Sequence, residues 1–285
     1  MTPTPSQFAA RRARFRELHE DGCFVIPNPW DVGSARYLRH LGFPALATTS
    51  AGFAFSCGLP DSESAVSGAG MLRHIEEMVA AVDLPVNADF ASGYALDPEG
   101  VAENVRLCVA TGVAGLSIED ATGDPANPLY DLSQAISRVR AARAAIDDSG
   151  ADVLLTGRAE CFLTGHPDPF RESLRRLLAY SEAGADVLYA PGVHTPGDIR
   201  ELVAAVRPKP VNILMSANTG LTVADMAELG VRRVSVGSAL ARAAWTGFLA
   251  AARAIAAEGS FRGFDGMVPF AELNTFFRDD LSRRR

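Results

Sequence analysis

Apolar and polar positions along the chain alternate between two regimes. Short apolar runs rich in β-branched residues, or closed by a turn, recur eight times. They are "CFVIPNPW" from Cys23, "FPALATTS" from Phe43, "LPVNADF" from Leu84, "GLSIED" from Gly115, "VLLTGRAE" from Val153, "DVLYAPG" from Asp186, "KPVNILMS" from Lys209 and "RRVSVGS" from Arg232. Between them lie stretches with apolar residues at three- and four-residue spacing, such as "GMLRHIEEMVAAV" from Gly70 and "PFRESLRRLLAYSEAG" from Pro169. The first pattern predicts buried strands and the second amphipathic helices. Glycine at the expected helix ends, in "ATGVAG" and "EAGADV", separates a helix from the next strand. Alternating strand and helix predicts a parallel sheet, and eight repeats predict its closure into a (β/α)8 barrel of the TIM type. An open doubly wound sheet is less favoured, because no dinucleotide-type glycine fingerprint follows the first run. The expected organisation is one domain over 1–285, with an N-terminal helix over 1–22 and a helical tail from about 246 to 285. The last segment, "FAELNTFFRDDL", carries more apolar residues than its own helix can use. Its face calls for a cover, such as a neighbouring subunit.

Composition narrows the function more than the fold. A net charge of -7 argues against nucleic acid and against an anionic membrane surface, both of which need a basic patch. The arginine clusters "RRARFR" and "SRRR" read as solvated faces or tails. Cys23, Cys57, Cys108 and Cys161 form no CxxC pair, so neither a zinc ribbon nor a disulfide framework is expected, and a cytoplasmic setting fits. No apolar run has the length of a membrane span, and the first residues lack a secretory core. The only lysine is Lys209, at the start of the seventh run and so at the stability face of a barrel, which disfavours Schiff-base chemistry.

Chemistry in such a barrel collects at the carboxyl ends of the strands. Those ends carry Asn28 and Asp31, Thr48 to Ser50, Asn87 and Asp89, Glu119 and Asp120, Arg158 and Glu160, Asn212 with Ser216, and Ser235 with Ser238. Asp61 sits in the loop after the second strand and His194 beyond the sixth. Asn87 and Asp89, two residues apart, share one side of a strand. Carboxylates gathered at one opening repel one another unless a cation joins them, and hard oxygen ligands suit Mg²⁺. The competing reading is an ion-pair network in which Arg158 neutralises Glu119 and Glu160. Arg158 also suits two-point capture of a carboxylate. The small residues of "TTSAGFAFSCGLPDSE" leave backbone N–H groups open to an anion. His166, His194, Cys57 and Cys161 read first as ordinary surface or inert groups.

Taken together, "SAGFAFSCGLPDSE", "PVNADFASGYA", "GLSIED", "GRAE" and "RRVSVGSALARAA" resemble the isocitrate lyase and phosphoenolpyruvate mutase superfamily over about 28–245. The resemblance implies a barrel whose last helix is exchanged with a neighbour, in a homo-oligomer built as a dimer of dimers. It implies a Mg²⁺-dependent reaction, with Mn²⁺ as the alternative ion, on a small 2-oxo or 2-hydroxy carboxylate. By position, Asp61, Asn87, Asp89 and Glu119 resemble the metal shell. Ser50, Ala51 and Gly52 resemble a backbone cradle for substrate, Arg158 the carboxylate clamp, and Asn212 a further polar contact, with His194 beside them as a substrate contact. Arg158, Glu119 and Asp61 are then the expected catalytic set. Three departures stand out. Asn87 occupies a place where the pattern usually has an Asp, "DATGDPANPLYD" after Glu119 lacks the lid Lys and Cys, and Gly192 replaces a Glu. The expected activity is therefore a lyase acting on a carbon-carbon bond next to an oxo-carboxylate, with Tyr130 or His194 as the proton source. A carbon-phosphorus enzyme and a non-catalytic acid-binding subunit are the alternatives.

Overall fold

The computed structural model describes residues 4–62 and 65–283. Eight parallel strands form one sheet: β1 (Phe24–Ile26), β2 (Leu46–Ala47), β3 (Val86–Asp89), β4 (Gly115–Glu119), β5 (Leu154–Arg158), β6 (Val187–Tyr189), β7 (Val211–Leu214) and β8 (Arg233–Ser235). Every one lies inside a run read from the sequence. Helices alternate with them: α1 (Pro5–Glu17), α2 (Val32–His40), α3 (Ser50–Ser56), α4 (Gly68–Ala81), α5 (Pro98–Ala110), α6 (Leu132–Asp148), α7 (Pro169–Glu182), α8 (Pro196–Val206) and α9 (Val223–Glu228), followed by α10 (Ala239–Glu258) and α11 (Phe270–Arg283). The architecture is a (β/α)8 TIM barrel.

Ladder pairing runs unbroken from β2 through β8 to β1. The seam between β1 and β2 is narrow: Ala47 N–H donates to the Pro27 carbonyl at 3.1 Å. Asn28 stitches it further. Its Nδ2 donates to the Thr48 carbonyl at 2.9 Å, and its Oδ1 accepts from the backbones of Val236 and Gly237, both at 2.9 Å. A buried Asn here satisfies backbone groups that barrel closure would otherwise strand.

The N-terminal face is sealed by α1, which starts at a Thr4 capping box and has Pro at its first position. Phe15 drops among Phe24, Ile26, Ala45, Ala114, Leu154 and Val187. The helix comes close because Gly112 leaves room: a Cβ there would stand 2.2 Å from Phe8. This corrects the reading of "RRARFR" as a solvated face. Arg11 donates to the Val79 carbonyl at 3.0 Å, Arg12 to Val113 and Val109 at 3.0 and 3.1 Å, and Arg16 pairs with Asp152. The long stems pack while the heads satisfy the carbonyl ends of α4 and the turn after α5.

The chain divides into two compact units, Met1–Ser238 and Ala239–Arg285. The sequence reading places the whole chain in one domain with a tail from about 246. The second unit begins at Ala239, the first residue of α10. Within the second unit the chain folds back after α10: a Cβ on Gly263 would stand 2.5 Å from the Ala251 backbone. Among the described residues, no helix is long and apolar enough to cross a membrane.

Candidate active site

Residue register explains which strand ends meet. Around the barrel, Glu119 on β4 is the partner of Arg158 on β5, Arg158 of Tyr189 on β6, Tyr189 of Asn212 on β7, and Asn212 of Arg233 on β8. This row starts at the last residue of β4 and ends at the first residue of β8. Strand tilt thus carries it from the C-terminal opening to the floor.

At the opening, Arg158 is the hub. Its NH1 lies 3.0 Å from Glu119 Oε2 and 3.2 Å from Asp89 Oδ1, and its Nε pairs with Glu160 Oε1. The guanidinium lies over the Tyr189 ring, 5.3 Å from its centroid. Burial works against the Arg158 charge, but Glu119, Glu160 and Asp89 outweigh it and hold the proton far more tightly than usual. The other oxygen of Asp89 accepts from both the backbone N–H and the hydroxyl of Ser50, at 2.9 Å each. Ser50 is positioned because Thr49 caps α3 through its hydroxyl, which accepts from Gly52 N–H at 3.2 Å.

A cavity of about 230 Å³ opens over this cluster. Ser50, Asp61, Glu119, Arg158 and Glu160 form its polar wall, and Ala54, Val66, Met71 and Leu163 an apolar one. Asp61 reaches it from the loop after α3. Burial, then the charge of Asp89, raises the Asp61 carboxyl above the ordinary range, with Arg158 pulling the other way. Glu160 is also raised, by burial first, and its ion pair with Arg158 limits the rise. Behind it Asp120 fixes the loop: one oxygen accepts from Glu160 N–H at 2.8 Å, while the other receives Arg176 at 3.0 Å and the Tyr180 hydroxyl.

The loop after β3 carries backbone strain into this wall. Ala91 and Tyr94 adopt φ of +44° and +55°, unusual for residues with a Cβ. Both line the cavity. Arg138 of α6 holds the loop from behind, donating to the carbonyls of Ser92, Ala95 (2.8 Å) and Leu96 (3.0 Å).

The structure brings Ser50, Asp61, Asp89, Glu119 and Arg158 together. It does not bring the rest. Asn87 lies two residues deeper on β3, where its Oδ1 would be 2.7 Å from a Cβ at Gly115, beside Phe15; that oxygen has no hydrogen-bond partner. Asn212 is buried below the opening, accepting from Arg233 Nε and donating to Ser235 Oγ, both at 2.9 Å. Ala51 and Gly52 stand in α3 between Ser50 and Ala54, which line the cavity, and do not line it themselves. His194 is exposed on the loop after β6, with Nδ1 2.8 Å from the Gly192 carbonyl, and Tyr130 lines a neighbouring hollow instead. Glu160, Tyr94 and Tyr189 join the site beyond the expected set. Glu160 had a signal in "GRAE", two residues past Arg158; Tyr94 and Tyr189 had none.

The donor set bears on a metal. Among the described residues no three carboxylates stand in coordinating geometry, since Arg158 lies between Asp89 and Glu119. Yet four acidic side chains, Asp61, Asp89, Glu119 and Glu160, gather about one guanidinium. Hard oxygen donors with excess negative charge fit a divalent cation such as Mg²⁺. The Cys161 thiol, pushed up to about 11 by burial, is not a ready nucleophile.

Comparison with known proteins follows the same direction. A family model described as phosphoenolpyruvate phosphomutase matches residues 15–256. An uncharacterized protein of Mycobacterium tuberculosis (strain H37Rv), Rv1998c, is 36% identical over 94% of this chain and 98% of its own length. An oxaloacetate decarboxylase of Paraburkholderia xenovorans is 30% identical over 80% of this chain and 76% of its own. Among solved structures, a candidate lyase/mutase from Burkholderia cenocepacia J2315 superposes with a TM-score of 0.91 at 45% identity, covering 95% of this chain and 98% of that one.

Proposed function

Since the chain belongs to the phosphoenolpyruvate phosphomutase family, in the superfamily shared with isocitrate lyase, we propose that it is a lyase that cleaves or forms a carbon-carbon bond next to a 2-oxo or 2-hydroxy carboxylate. The observation that carries this reading is Arg158, held at the cavity wall by Asp89, Glu119 and Glu160 and backed by Tyr189. With Nε and one terminal nitrogen held by these acids, the guanidinium offers its remaining terminal nitrogen to a carboxylate, pre-oriented and at little entropic cost on binding. Ser50, whose N–H and hydroxyl both donate to Asp89, fixes that carboxylate at the same wall. Asp61, Asp89 and Glu119 would hold Mg²⁺, in part through water, with Mn²⁺ as the substitute. When bound, the ion supplies Lewis-acid stabilisation of enolate charge.

The carbon-phosphorus alternative is weaker, because Arg158 is the one cation among the described residues lining the cavity, too little for a phosphonate. A non-catalytic acid-binding role does not explain why four carboxylates stay gathered against their mutual repulsion. The exposed apolar side chains of the second unit, among them Phe248, Phe261 and Phe270, support assembly with further copies of this chain, as a dimer of dimers.

The test is thermal unfolding with Mg²⁺, with oxalate as an enolate mimic, and with both. The pair should raise the midpoint beyond the two separate shifts, as ligands that bind only the folded state must. Asp89→Ala should abolish the Mg²⁺-dependent part. A midpoint indifferent to the pair overturns the reading.

A further inference from the structure

A second hollow, of about 310 Å³, adjoins the charged cavity. Val66 and Tyr94 line both. Thr122, which lines the second, stands in the chain between Ala121 and Gly123, which line the first. A substrate anchored at Arg158 therefore extends into the second hollow past Tyr94 and the loop after β4. The chemistry changes there: Ser67, Ser92, Ala95, Leu96, Thr122 and Tyr130 contribute no charge.

Cations nearby are already committed. Arg158, paired with Asp89, Glu119 and Glu160, is taken up by the carboxylate at the head of the substrate. Arg138, whose guanidinium lies 4.1 Å from the Tyr130 ring centroid, is 1% exposed and turns both terminal nitrogens to three loop carbonyls. A carboxylate at the far end of the substrate would meet neither cation. It would stand instead in the field of Asp61, Glu119 and Glu160, losing water without gaining a partner.

We propose that the second hollow takes the tail of the substrate and that this tail is uncharged: the substrate is a 2-oxo monocarboxylate with a hydroxyalkyl group on C3, which leaves as an aldehyde while the 2-oxo group takes the electron pair as an enolate, not a diacid. This rests on the lyase reading for its head group. It sets this chain apart from a relative named for oxaloacetate, which carries a carboxylate at each end.

Calorimetric titration of the intact protein in Mg²⁺ buffer tests it with three probes. Pyruvate reports the head alone, 2-oxopentanoate adds an apolar tail, and 2-oxoglutarate adds a tail of similar length that ends in a carboxylate. The expected order is 2-oxopentanoate tightest, with 2-oxoglutarate weaker by about tenfold or more. If 2-oxoglutarate binds as tightly while pyruvate also binds, the tail inference falls and the lyase reading stands. If none of the three, nor oxalate, binds, both fall. Leu96 is 91% exposed, so Leu96→Lys tests the location without threatening the fold. It should narrow or reverse the preference, and a ratio unmoved by that charge places the tail elsewhere and overturns the proposal.

Discussion

At the scale of single residues, Arg158 shows how much a site depends on one group's geometry. Lysine keeps the charge but not the planar fork that meets Asp89, Glu119 and Glu160 at once. Arg158→Lys should therefore raise KM for a 2-oxo acid by about tenfold or more, while the Mg²⁺-dependent thermal shift persists; steady-state kinetics beside thermal unfolding separate the two. His19 gives a second test, of stability. Its Nδ1 is 2.7 Å from the Phe15 carbonyl, which it can only donate to, so Nε2 is left to accept from Arg233 NH1 at 3.4 Å. Burial, then the nearby Arg233 charge, lowers its pKa from 6.5 to about 3. Below pH 6.5 the unfolded chain binds a proton that the folded one refuses. Stability should thus fall as pH drops from 6.5 towards 3, by up to about 1.4 kcal/mol per pH unit from this group. Urea unfolding at pH 7 and pH 5 measures the slope, and His19→Gln should flatten it. None of this was legible in "RELHEDG", where His19 looks like one more polar residue near a helix end.

Elements were the most legible scale. All eight strands sit inside the runs marked by apolar pattern, and α4 and α7 fall on the three- and four-residue spacings, because burying one face of a strand or helix writes a period into the sequence, whereas α3 forms in a small-residue segment read as a loop. The opening's carboxylates were legible for the same reason: a polar side chain after a buried strand must face either water or chemistry. Depth was not. Period-two alternation says which side Asn87 and Asn212 face, not how far along the barrel axis they sit. That depth follows from the register row, which descends from Glu119 to Arg233. Asn28 belongs to this scale too, as a strand-end residue that closes a seam between elements. Asn28→Ala leaves two backbone N–H groups and a carbonyl without their side-chain partner, and should cost about 3 kcal/mol in equilibrium unfolding with little change in ligand affinity.

At the scale of the whole molecule, the second unit exposes more apolar surface than a solitary helical pair tolerates: Phe270 is 83% exposed and Phe248 59%. If a further copy of the chain covers that face, Phe270→Asp should shift the mass by light scattering towards a smaller species, and an unchanged mass would count against the assembly. The amphipathic surplus of "FAELNTFFRDDL" was readable in advance, since an apolar face without a partner shows in the pattern itself. By itself the sequence determined the order of strands and helices, the barrel, and the gathering of acids with one arginine at its opening, because these follow from local periodicity and from charge. Tertiary structure alone decided that Asp89 joins the ion-pair network of Arg158 with Glu119 and Glu160 that the sequence offers as one reading, that Asn87 and Asn212 lie beneath it, that Arg11 and Arg12 dock on carbonyls, and that the adjoining hollow has no charged residue among the described residues that line it. Each of these depends on strand tilt and on contacts between residues far apart in the chain, which no local pattern encodes.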